Sequence, residues 1–131
     1  MDLLSTEIDA DKEDRKACRD VVLRTLKPWF QGNAKTVNSK NGDIISVTWS
    51  GIKHARNAGL PTWQKAAAAL HIEALIEQAV LLEIRPDKHQ GTDPKSTTLY
   101  QASARFDGVP CNVIIFVRNH SDGNRYYDHV M

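Results

Sequence analysis

The chain reads as an α+β domain, with N-terminal helices packed on an antiparallel sheet that ends in a three-stranded meander. Three observations predict this. Ala17, Val21, Val22, Leu26, Trp29 and Phe30 recur at helical spacing between about Asp11 and Phe30. A second helical stretch, rich in Ala and Leu, follows Thr62. The last third holds three β-type runs, separated by Asp107-Gly108 and Asp122-Gly123, and Asp-Gly is a strong hairpin signal. Helices segregated from an antiparallel sheet define the α+β class.

Taken in order, residues 1–9 are polar and are expected to fray, with a single domain over 1–131. The first helix carries Lys12, Glu13, Arg15, Lys16 and Arg19 on its polar side, and Pro28 followed by Gly32-Asn33 stops it. Ala34–Val37 and Ile44–Trp49 flank a turn-forming Asn38–Gly42 and read as a hairpin. Ser50 is the expected N-cap of a short helix from Gly51 to Ala58, closed by Gly59. Thr62 caps a longer helix from Trp63 to about Gln78. Ala79–Ile84 fits either a continuation of that helix or a strand, and Arg85–Lys95 reads as a solvated loop. Thr97–Phe106, Val109–Asn119 and Arg125–Val130 complete the meander.

With 41% hydrophobic and 25% charged residues, the chain has the composition of a folded domain rather than a disordered one. Its apolar runs fall far short of the roughly 20 residues that span a bilayer, and no signal peptide is visible, so a cytoplasmic protein is expected. Cys18 and Cys111 stand alone, without C-x-x-C spacing, and read as reduced thiols rather than metal ligands. The net charge of +1 argues against a scaffold dedicated to avid nucleic-acid binding, which would be far more basic. It leaves room for an enzyme with a local positive site.

Counting back from a two-residue turn at Asp122-Gly123 gives a register for the last hairpin. His120 then opposes Arg125, Arg118 opposes Tyr127, and Phe116 opposes His129. Arg118, Tyr127 and His129 would share one face, with Asp128 on the other. Counting from Asp107-Gly108 places Thr97 opposite Arg118, with Gln101 and Ser103 farther along the polar face. Val113, Ile115, Val117, Tyr100, Ala102 and Ala104 would line the core. A one-residue slip would exchange the faces. The polar set suits phosphodiester chemistry: Arg grips phosphate with a planar fork, His moves protons near neutral pH, and Tyr donates to an oxyanion or stacks on a base. No acidic pair at metal-ligand spacing accompanies it. Bland alternatives stand beside these roles. His54 would suit a surface helix, Arg118 a solvated strand end, and Tyr126 and Tyr127 sheet-edge packing. His71 reads as a packed or semi-exposed helix residue, His89 as a solvated loop residue, and Trp29, Trp49 and Trp63 as core or subunit-contact residues.

Two stretches, Val47-Thr48-Trp49-Ser50-Gly51-Ile52-Lys53-His54-Ala55 and Val113–Val117 with Arg118 and Tyr126-Tyr127-Asp128-His129, resemble the barnase/EndoU/colicin/RelE-like (BECR) superfamily. The nearest branch is the nuclease-like domains of phage polyvalent proteins and bacterial toxins, and the resemblance covers roughly residues 44–131. It implies helices followed by a four-stranded antiparallel sheet, and RNA cleavage without a metal or other cofactor. His54 becomes the candidate general acid or base, Lys53 a phosphate contact, and Arg118 the group that holds the scissile phosphate. Tyr127 or His129 would complete proton transfer, with Thr97 and His120 as substrate contacts. The implied partners are RNA, such as tRNA, and a cognate immunity or antitoxin protein. A protein of this kind acts in the cytoplasm, delivered from a phage or another cell. A nuclease-like interaction module without chemistry is the alternative.

Overall fold

The computed structural model describes residues 3–57, 62–86 and 96–130, with only the backbone of 54–57 and of His129. Along the chain run β1 (Leu4–Thr6), α1 (Arg15–Phe30), β2 (Lys35–Asn38), β3 (Ile44–Val47), α2 (Trp49–Asn57), α3 (Trp63–Leu70), α4 (Ile72–Gln78), β4 (Val80–Pro86), β5 (Ser96–Phe106), β6 (Val109–Asn119) and β7 (Arg125–Val130). This is an α+β fold. The strands form one sheet in the order β1-β5-β6-β7-β3-β2, and β4 also pairs with β5. The meander β5-β6-β7 is antiparallel, as the turns predict. The sheet as a whole is mixed, because β1 joins β5 and β3 joins β7 in parallel.

Asp14 caps α1 by accepting from the Ala17 amide. The helix runs through Pro28 to Phe30 and ends at Gln31, whose φ of 49° is left-handed. Its buried stripe is Cys18, Val21, Val22, Leu26 and Phe30. Thr62 caps α3 as expected, but the single helix expected over 63–78 breaks at His71. No Gly or Pro causes this break; the packing does. The alanine-rich α3 lies against α1 and β7, whereas α4 turns to cover β5 and β2. The His71 amide is shared between the Ala67 and Ala68 carbonyls, which tightens the last turn of α3.

Residues 4–6 differ from the expected frayed end. Strand β4 follows β5 only as far as Gln101, so the edge of β5 beyond it is open. Leu4–Thr6 pairs there with Ala104–Phe106, and the Thr6 hydroxyl donates to the Arg105 carbonyl at 3.0 Å. Ala79–Ile84, left between helix and strand by its sequence, is largely strand. The part of the expected loop over 87–95, with His89, lies outside the described residues, as does Gly59.

One core cluster joins α1, β3, α2, α3, α4 and the meander. Its centre is the β-branched row Val113, Ile115 and Val117, with Tyr100, Ala102 and Ala104 beside it, all buried as the period-2 pattern predicts. Each fully buried Ile or Val there contributes about 1.5–3 kcal/mol relative to an exposed side chain. Cys18 is buried and Cys111 exposed, and both are free thiols. Among the described residues no helix is long and apolar enough to cross a membrane.

Candidate functional site

The two Asp-Gly turns of the meander fold differently, and that difference decides which side chains meet. Asp107 and Gly108 both have positive φ, 52° and 77°, the two-residue turn that their sequence predicts. Phe106 therefore opposes Val109, and Thr97 opposes Arg118. At the second turn only Gly123 has positive φ, 86°. The His120 carbonyl accepts from the Gly123 amide at 3.0 Å, and the His120 amide donates to the Asn124 carbonyl at 2.9 Å. Asp122 accepts from the Asn124 amide at 2.9 Å. These bonds close a three-residue loop, Ser121–Gly123, instead of a two-residue one.

Consequently the register of β6 against β7 moves by one residue near the turn. Arg118 opposes Tyr126, Asn119 opposes Arg125, and Val117 opposes Tyr127. A bulge then takes up Asp128, so Phe116 opposes His129 after all. Three sequence expectations are thereby corrected. Tyr127 does not stand beside Arg118; it points into the core and is 2% exposed. His120 pairs with Asn124, not Arg125. Asp128 does not point away from the arginine, because Arg118 Nε donates to its Oδ2 at 3.1 Å. Burial raises the Tyr127 phenol well above its ordinary pKa, with the Asp128 charge adding to the effect. Its hydroxyl has no hydrogen-bond partner among the described residues.

The slip also brings Tyr126 to the open face. Arg118, His120, Tyr126 and Asp128 line a cleft of about 380 Å³ whose opposite wall is the start of α2, through Thr48, Ser50 and Gly51. The His120 and Tyr126 rings meet edge to face, with centroids 4.9 Å apart. Thr48, rather than Ser50, caps α2: its Oγ1 accepts from the Gly51 amide at 2.9 Å. Gly51 has a separate reason to be glycine. A Cβ there would lie 2.7 Å from the Tyr127 carbonyl oxygen, so only glycine lets α2 approach β7 this closely.

Of the remaining candidates, Thr97 sits one strand from Arg118, and Lys53 is exposed on α2. His54 belongs to α2, one turn beyond the cleft wall, and His129 holds a β7 position opposite Phe116. Both of their side chains lie outside the described residues. The structure thus brings Arg118 and His120 to one cleft, which Tyr127 also borders although its residue is only 2% exposed.

The chain matches the profile of the large polyvalent protein-associated domain 3 over residues 13–127. It belongs to that family. The match supports the association with polyvalent proteins implied by residues 47–55 and 113–129. No curated protein and no solved structure matches the chain.

The polyvalent protein-associated domain also holds a polar network that sequence reasoning missed. Asp43, in the β2–β3 connection, accepts from the Tyr100 hydroxyl at 2.6 Å and pairs with Arg125 at 2.5 Å. Burial alone would raise the Asp43 pKa, but the bonds from Tyr100 and Arg125 outweigh it and hold the carboxyl below its usual range. Burial and the Asp43 carboxylate together push the Tyr100 phenol upward. Beside this network Asn119 donates to Ser96 at 3.0 Å and to Thr98 at 2.6 Å. Alternation places Tyr100 in the core, but nothing local pairs it with a residue 57 positions earlier.

Proposed function

We propose that this domain is a metal-independent ribonuclease-type effector of the BECR kind, carried by a phage polyvalent protein. The observation that carries the reading is the convergence of Arg118, His120 and Tyr126 on one open cleft beside the start of α2. Arg118 is oriented by Asp128 through Nε, which leaves its two terminal nitrogens to grip a phosphate. In this reading a histidine takes the proton of a ribose 2′-hydroxyl, the 2′-oxygen attacks phosphorus, and the leaving 5′-oxygen receives a proton from a second group. His120 and His54 fill the two proton-transfer roles. Tyr126 replaces Tyr127 as the phenol that donates to the phosphate or stacks on a base. Thr97, Lys53 and His129 remain outer candidates for substrate contact.

The test is incubation with tRNA and total RNA in EDTA. Cleavage is expected, with loss of about 100-fold or more for His120→Ala and Arg118→Ala. Intact RNA, or variants that cut as fast as the parent, would overturn the reading.

A second reading is a nuclease-like interaction module. The Arg118–Asp128 ion pair and the net charge of +1 favour it, since both weaken attraction for a polyanion. A stoichiometric protein partner, such as a cognate immunity or antitoxin protein, recovered with no RNA processing would select it.

A further inference from the structure

Strand β4 is exposed along its whole length, Val80 to Pro86. Among the described residues it pairs with β5 on one side only. Val80, Leu81, Leu82 and Ile84 are each between 45% and 60% exposed. An apolar edge strand with unpaired backbone groups is a template for another strand, and monomeric proteins usually blunt such edges with charge, proline or a bulge. Here the bulge at Leu82 and the proline at 86 leave Glu83, Ile84 and Arg85 between them as a regular pairable stretch.

We propose that β4 pairs antiparallel with β4 of a second copy of this chain, about a twofold axis through Ile84. Charge complementarity selects this occupant and this register. With Ile84 opposite Ile84 of the other copy, Glu83 falls opposite Arg85 and Arg85 opposite Glu83, so each copy supplies what the other needs. Glu83 and Arg85 already pair within the strand and keep about half of their side-chain surface exposed. Docking would convert these two pairs into an alternating cluster of four charges on one face, with the isoleucines meeting on the other. One short strand per copy makes a small interface, so the dimer is weak and concentration-dependent. Arg85 pairs with Thr97, and Thr97 with Arg118. The dimer therefore sets two Arg118 clefts on one face of a continuous sheet, roughly 25 Å apart at about 4.8 Å per strand.

Sedimentation of the full chain over a wide concentration range tests this. The parent is expected to dimerise, and Glu83→Arg or Arg85→Glu to weaken dimerisation about tenfold by facing like charges twice. The double swap Glu83→Arg with Arg85→Glu restores it. In a Cys111→Ser background, Ile84→Cys gives an oxidised dimer across the axis. Circular dichroism checks that these surface variants fold. A parent that stays monomeric, single reversals that dimerise like the parent, or a double swap that does not recover would each overturn the proposal.

Discussion

Replacing Tyr127 by Phe separates a core residue from a catalytic one in a single variant. The ring is 2% exposed and its hydroxyl is buried without a partner among the described residues. Leaving a buried hydroxyl unsatisfied costs about 1–3 kcal/mol, and removing the oxygen relieves that cost. The ring stays, so the packing against Val117 and the sheet is kept, and the small void left behind returns only a few tenths of a kcal/mol. Tyr127→Phe should therefore stabilise the domain by about 1 kcal/mol, or raise Tm by roughly 3–5 °C for a chain of this size. Thermal and urea melts measure it directly. RNA cleavage by this variant should match the parent, whereas Tyr126→Phe should lower cleavage with stability unchanged within about 0.5 kcal/mol. Destabilisation of Tyr127→Phe by more than 1 kcal/mol would refute the assignment, because it would mean the hydroxyl is held by a buried partner.

Gly51→Ala forces a Cβ to within 2.7 Å of the Tyr127 carbonyl oxygen. Such overpacking costs about 1–3 kcal/mol against a helix-propensity gain of about 1 kcal/mol. A lowered urea midpoint is expected, and an unchanged or raised one counts against the close approach of α2 to β7. Asp43 has a depressed folded pKa, so its contribution is present above the ordinary aspartate value and is lost as pH falls through the folded one. Asp43→Asn should thus destabilise the domain at neutral pH. The gap in Tm between variant and parent should close in strong acid, and a gap independent of pH would remove the network from the account.

Much of the fold is legible along the chain because its causes are local. The stripe of Val21, Val22, Leu26 and Phe30 follows from helical periodicity. The buried row of Val113, Ile115 and Val117 follows from alternation counted out from a turn that two positive-φ residues can form. The Arg118 and Thr97 pairing is readable for the same reason.

Tertiary structure decided the rest. Asp107-Gly108 and Asp122-Gly123 carry the same local signal, yet the second closes a three-residue loop, and the bulge at Asp128 restores the pairing farther along. Both arrangements are open to the local chain. The choice moves Tyr127 into the apolar layer beside Val117, brings Tyr126 to the cleft, and turns Asp128 toward Arg118. Likewise, the break at His71, the pairing of Leu4–Thr6 with β5 and the reach of Asp43 to Tyr100 depend on surfaces far away in sequence. The amino-acid sequence alone determined the first helix, the three strands of the meander and which kinds of side chain the site could draw on. Which of two adjacent tyrosines faces water was settled by the packed sheet, because a one-residue change in pairing is nearly free for the backbone and decisive for every side chain on it.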